Sequence, residues 1–124
     1  MILDASGRVL LGRRAFDPGI GLWDLPGGFL EEDEDPVTAL HREVREETGL
    51  EIEPVSFVGF YLEPYDNRMV LCITWLARVA GGDEQAGDDL SELQWFARNE
   101  IPFDQLAFLH YERALSDGFR YEDA

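Results

Sequence analysis

Arg42-Glu43-Val44-Arg45-Glu46-Glu47-Thr48-Gly49 packs three carboxylates and two guanidinium groups into one short run. Asp35 suits an N-cap, Pro36 the first helical position and Gly49 a C-terminal cap, so the spacing predicts a helix that starts at Pro36 and stops before Gly49. At about 100° per residue, Val37, Leu40, Val44 and Thr48 fall within roughly 60° of Val37 and form the expected core face. Glu43, Glu46 and Glu47 share an arc of roughly 100° on the other side. Glu43 faces Glu46 at i,i+3 and Glu47 at i,i+4, spacings at which each like-charge pair costs about 0.2–0.5 kcal/mol. They also sit at the helix end where the macrodipole favours cations. One explanation is a solvated acidic face, partly neutralised by Arg42 and Arg45. The other, which the helix physics favours, is a divalent cation as the missing partner. Oxygen-only ligands suit Mg²⁺ or Mn²⁺ better than zinc or copper.

The rest of the chain narrows the ligands such a cation could serve. There are 124 residues, enough for one domain, with 26 acidic side chains against 10 basic ones and a formal net charge of −16. All ten basic residues are arginine. So acidic a chain repels nucleic-acid backbones and anionic membrane surfaces, which argues against nucleic acid or membrane partners. An anionic small molecule would need a local positive charge, and a bound cation supplies one. The single cysteine, Cys72, forms no intrachain disulfide and no cysteine-based zinc site, in keeping with a reducing cytoplasm. No stretch reads as a bilayer span or a signal peptide.

Around the helix the pattern alternates strands and turns. Met1–Leu3 and Arg8–Arg14 read as strands about a tight turn, the first so short that an upstream segment, or a partner chain covering its edge, is expected to complete the sheet. Trp23–Phe29 is extended and bent at Pro26-Gly27-Gly28. Glu51–Leu62 and Arg68–Val79 form a hairpin across Glu63–Asn67, Ala80–Asp89 is a polar loop, and Glu92–Ala97 is a further strand. A last helix is expected to open at Pro102–Asp104 with Asp104 as N-cap, carrying Leu106, Leu109, Arg113 and Leu115, with a frayed Glu122-Asp123 tail. This is an α/β (α+β) domain with a mixed sheet.

Gly28 to Leu50 resembles the Nudix box, G-x5-E-x7-R-E-U-x-E-E-x-G-U with U aliphatic. Gly28, Glu34, Arg42, Glu43, Val44, Glu46, Glu47, Gly49 and Leu50 fill every defined position without a gap. Arg13-Arg14 and Gly21–Gly28 also look like other Nudix hydrolases. The resemblance implies one Nudix-type α/β/α sandwich over residues 1–124 and a metal-dependent pyrophosphohydrolase. Its substrate would be a nucleoside diphosphate linked to another moiety, of the ADP-ribose or nucleoside triphosphate type. A non-catalytic nucleotide-sensing module is the alternative, disfavoured because every box carboxylate is present.

By the same resemblance Glu43, Glu46 and Glu47 would ligate Mg²⁺ or Mn²⁺, Glu47 foremost, with Glu46 or Glu43 as ligand or base. Arg42 and Glu34 would orient the loop against the helix, although Arg42 equally suits a plain i,i+4 pair with Glu46. Gly28 would let the backbone approach the phosphates. Asp89, beside Asp88 and with Glu92 as rival, matches an acid contributed by a later loop; a solvated loop explains these acids equally well. Phe29, Tyr61, Tyr65 and Trp75 are candidate contacts for a base or sugar, and Arg13 and Arg68 for phosphate, against core, rim and surface-pair readings. His41 and His110 read as packing or surface residues. Val55–Asn67 lacks the Ser-Gln-Pro-Trp stretch of the NADH-pyrophosphatase subgroup. A homodimer would fit the short first strand.

Overall fold

The computed structural model describes residues 1–124. Its strands are β1 (Ile2–Leu3), β2 (Val9–Arg14), β3 (Trp23–Asp24), β4 (Leu50–Tyr65), β5 (Arg68–Gly82) and β6 (Leu90–Phe96), and its helices are α1 (Pro36–Thr48) and α2 (Tyr111–Asp123). They form one mixed six-stranded sheet in the order β3-β2-β1-β5-β4, with β6 paired to β2. β1 is antiparallel to β2 and parallel to β5. The short first strand is therefore interior, bonded on both sides, and leaves no free edge for a partner to cover. The Met1 amino group is buried and donates to the Trp75 carbonyl at 2.9 Å, and burial pushes its pKa down to about 5.

Side chains alternate across a strand, and the core divides accordingly. Leu3, Val9, Leu11, Leu76 and Phe96 pack on one face against Tyr111, Leu115 and Phe119 of α2. Ile2, Leu10, Ile52 and Ala77 pack on the other face against Val44 of α1, with Leu40 beside them. The architecture is a helix on each face of a mixed sheet, as the sequence predicts. No helix is long and apolar enough to cross a membrane.

Besides β5 running on to Gly82, which shortens the Ala80–Asp89 loop, and β6 starting at Leu90, three features differ from the sequence reading. The hairpin turn shrinks to Asp66-Asn67, because Glu63, Pro64 and Tyr65 continue the ladder opposite Val70, Met69 and Arg68. The last helix does not open at Asp104. Arg98–Glu100 and Phe103–Gln105 form 3₁₀ turns, Leu106 bridges Trp23 in parallel, and Ala107 N–H donates to the Trp23 carbonyl at 2.7 Å. That strand-like pairing competes with helix, so α2 waits until Tyr111, and Leu109 is left exposed. The acidic tail is not frayed: Glu122 pairs with Arg78, and Asp123 holds Arg98 at 2.8 and 2.6 Å.

α1 has the predicted limits and caps. Asp35 accepts the Thr38 N–H at 2.9 Å, and Gly49 adopts φ 73°. Its buried face is not the predicted one. Ala39, Val44, Glu47 and Thr48 are buried while Val37 is 39% exposed. The face is turned by roughly 50° about the helix axis, which brings Glu47 close to its centre. Val44→Ala should therefore cost about 2 kcal/mol in urea unfolding, and Val37→Ala less than about 0.5 kcal/mol. Equal costs would restore the Val37-centred face.

Candidate active site

A helix C-terminus leaves carbonyls without intrahelical partners. Here the 83–89 loop supplies donors: Gln85 N–H to Thr48 O at 2.8 Å and Gly87 N–H to Glu47 O at 2.9 Å. Only glycine fits at 87, because a Cβ there would overlap the Glu46 carbonyl. Ala15 N–H binds the Asp89 carbonyl at 2.8 Å and ties the far end of the loop to β2. The loop that satisfies the end of α1 thereby carries Asp88 and Asp89 to its carboxylates. Asp88 takes φ 53°, a left-handed conformation uncommon outside glycine.

The acids form two groups that share Asp88. Oxygens of Glu43, Glu46 and Asp88 lie within 4.8 Å of one another, and so do those of Glu47, Asp88 and Asp89. Glu47 is 2% exposed. One of its oxygens accepts the Gly27 N–H at 2.6 Å. Burial first, then Asp89 and Asp24, push its carboxyl up to about 10. Burial also raises Glu43 above the usual carboxylate range, opposed by Arg42. Asp89 Oδ1 is buried with no hydrogen-bond partner. An orphaned carboxylate oxygen, a shared aspartate and a buried glutamate make an all-oxygen donor set that fits a hard divalent cation.

Gly28 has its reason in the same place, since a Cβ there would overlap the Glu43 carboxyl group. Arg42 unites both roles read for it. It holds Glu34 at 2.7 and 2.9 Å, Glu43 at 2.9 Å, Glu46 at 3.1 Å and the Phe29 carbonyl at 3.2 Å. Glu34 is in turn held down to about 2, chiefly by its hydrogen bonds from Arg42. Glu92 lies apart from this group and pairs with Arg13, whose guanidinium stands over the Trp23 ring.

The carboxylates border a cavity of about 600 Å³ that Phe29, Tyr65, Trp75 and Phe108 also line. Arg14, rather than Arg13, reaches it. Arg14 donates to Asp24 at 2.6 Å and to the Pro18 carbonyl at 2.6 Å, and approaches Asp89 at 3.6 Å. Asp24 also accepts the Tyr111 hydroxyl. Tyr61 is buried and bonds Asp117 at 2.6 Å; neither it nor Arg68 lines this cavity. Sequence reasoning passes over Asp24, Tyr111 and Glu63. The Tyr61/Glu63/Tyr65 alternation is a usable signal for Glu63, whereas Asp24 and Tyr111 meet across 87 residues and leave no local trace.

The family model for the NUDIX domain matches residues 1–115. The chain belongs to the Nudix hydrolase family. This Nudix domain is 38% identical over 124 residues to the "ADP-ribose pyrophosphatase" of Methanocaldococcus jannaschii, covering 98% of this chain and 72% of that protein. It is 35% identical over 100 residues to the "CTP pyrophosphohydrolase" of Escherichia coli, covering 80% and 73%. The crystal structure of the MutT protein from Methanosarcina mazei superposes with a TM-score of 0.80 at 28% identity, covering 99% and 90%.

Glu47 predicts a pH signature for the metal-free Nudix domain. Its folded pKa lies above the ordinary value of 4.5, so the native state binds the proton more tightly than the unfolded chain does. The resulting stabilisation is complete below about 4.5 and is lost as pH rises toward about 10. Urea midpoints in chelator should fall over that range, and Glu47→Gln should flatten the fall. An unchanged slope in Glu47→Gln would remove Glu47 as its source.

Proposed function

We propose that this Nudix domain is a Mg²⁺- or Mn²⁺-dependent pyrophosphohydrolase. It delivers water to the diphosphate of a nucleoside diphosphate linked to another moiety, with ADP-ribose or a nucleoside triphosphate as the substrate type. The observation that carries this reading is the buried Glu47 carboxylate grouped with Asp88 and Asp89 beside a cavity of small-molecule size. The activities named for the archaeal and E. coli relatives agree with the reaction type.

Glu47, Asp88, Asp89 and Glu43 would hold the cation. When bound, such an ion neutralises phosphate oxygens and makes a water more acidic. Glu46 is exposed at the lip of the group, where it can take a proton from the attacking water. Arg42 ties Glu43, Glu46 and Glu34 into one set of charge-assisted bonds, and Gly28 keeps space open against Glu43. Arg14 holds Asp24 and steadies Asp89 from behind. Phe29, Tyr65 and Phe108 offer ring surface to a base or sugar. The reaction belongs to the cytoplasm in this reading, consistent with a single unpaired thiol.

A nucleotide- and phosphate-release screen tests the proposal. It would take ADP-ribose, NADH, dinucleoside polyphosphates and canonical and oxidised nucleotides, with Mg²⁺, Mn²⁺ or chelator. Hydrolysis should require the divalent ion. Losing an outer-shell partner of a metal typically costs about 10- to 100-fold, so Glu47→Gln should lose at least about 100-fold while still folding. Turnover in chelator, or near-normal turnover by Glu47→Gln, would contradict the proposal.

A further inference from the structure

The cavity contains a further buried acid, besides Glu47 and Asp24, that the phosphate chemistry leaves unused. Glu63 lies on β4 with Tyr61 and Tyr65 two residues away on the same face, and it is 4% exposed. Its Oε1 accepts the His110 backbone N–H at 2.9 Å and meets His110 Nδ1 at 2.7 Å. No arginine pairs with it. A carboxylate has no proton to give, so Nδ1 carries the shared hydrogen, and with the ring uncharged Nε2 is an acceptor. Glu63 Oε2 and His110 Nε2 have no hydrogen-bond partner within the chain, and both residues line the cavity.

The surroundings are aromatic, one ring stacked on the imidazole and the others tilted or edge-on to their neighbours. The His110 ring stacks on Tyr61 at 5.6 Å and lies 4.6 Å from Tyr111. Phe108, Tyr65 and Phe29 continue the aromatic strip at centroid spacings of 5.6, 5.8 and 5.3 Å. A phosphate is repelled by a buried carboxylate. A planar heterocycle that presents N–H donors meets both demands.

We propose that Glu63 and His110 read the nucleobase and select one bearing an exocyclic amino group, a 6-aminopurine or 4-aminopyrimidine. This rests on the pyrophosphohydrolase reading. An amino group donates to Glu63 Oε2, with His110 Nε2 as a second acceptor in reach of the same cavity. An oxo group in that place sets lone pair against lone pair and leaves a buried acceptor unmade. Such an unmet acceptor lowers kcat/KM by about tenfold to a hundredfold.

The test compares kcat/KM for ADP-ribose with its hypoxanthine analogue, and for CTP with UTP, in the wild type and in Glu63→Gln. The wild type should favour the amino base of each cleaved pair by about tenfold or more. Glu63→Gln keeps an oxygen for His110 and gains a donor, so the ratio should collapse or invert. Glu63→Leu should lose the amino substrate without gaining the oxo one, and melting curves report whether each variant folds. Equal wild-type rates on amino and oxo bases, as expected if a ribose hydroxyl fills the pair, would overturn base reading and leave the hydrolase reading standing. An unchanged ratio in Glu63→Gln would overturn it too. Failure to cleave any of the four substrates would overturn base reading, and the wider release screen then decides the hydrolase reading separately.

Discussion

Glu47 occupies a position on α1 where a leucine would be the ordinary solution. It lies between Ala39 and Val44 on the buried face, its carboxyl closed over by Gly27 in the Pro26–Gly28 bend and by Asp89. Burying an ionised carboxylate beside other carboxylates is expensive unless it is neutralised. The fold accepts that penalty at one place and arranges its loops around it. The burial of the Glu47 carboxyl, which holds its proton in the metal-free chain, is the constraint from which the neighbouring geometry follows.

That geometry is built from backbone before side chains. The last carbonyls of α1 draw in the 83–89 loop, and the glycines at 28, 49 and 87 allow approaches that any Cβ would block. Arg42 then spans Glu34, Glu43 and Glu46, while Arg14 spans Asp24 and Asp89. Two arginines hold the acids from the outside and leave Glu47 and one oxygen of Asp89 without a cationic partner of their own. A surface cluster of the same composition would relax by swinging its side chains into water. Here the helix, the loop and the Tyr111–Asp24 contact prevent that.

The sequence makes α1, its caps and its acidic spacing readable, because those are local properties of a helix. It misplaces the buried face of α1, since Val37 is apolar and Glu47 charged, and only the approach of Gly27 and Asp89 reverses their burial. The start of the last helix is misleading because Leu106 fits a helical period yet pairs with Trp23 as a strand does. Asp88 and Asp89 are legible as neighbours of a later strand. Arg13 and Arg14 are not distinguishable in the same way, because the choice depends on a side chain's direction across the sheet. Tyr111 and Asp24 meet only through tertiary packing, which no local pattern encodes.

Anomalous diffraction from Mn²⁺-soaked crystals tests the central claim most directly. A single strong peak, or a close pair, is expected between Glu47, Asp88 and Asp89 and extending toward Glu43 and Glu46, with oxygen ligands at about 2.0–2.6 Å. A map without density there, with Glu47 still capped by Gly27 and Arg42 unmoved, would contradict it.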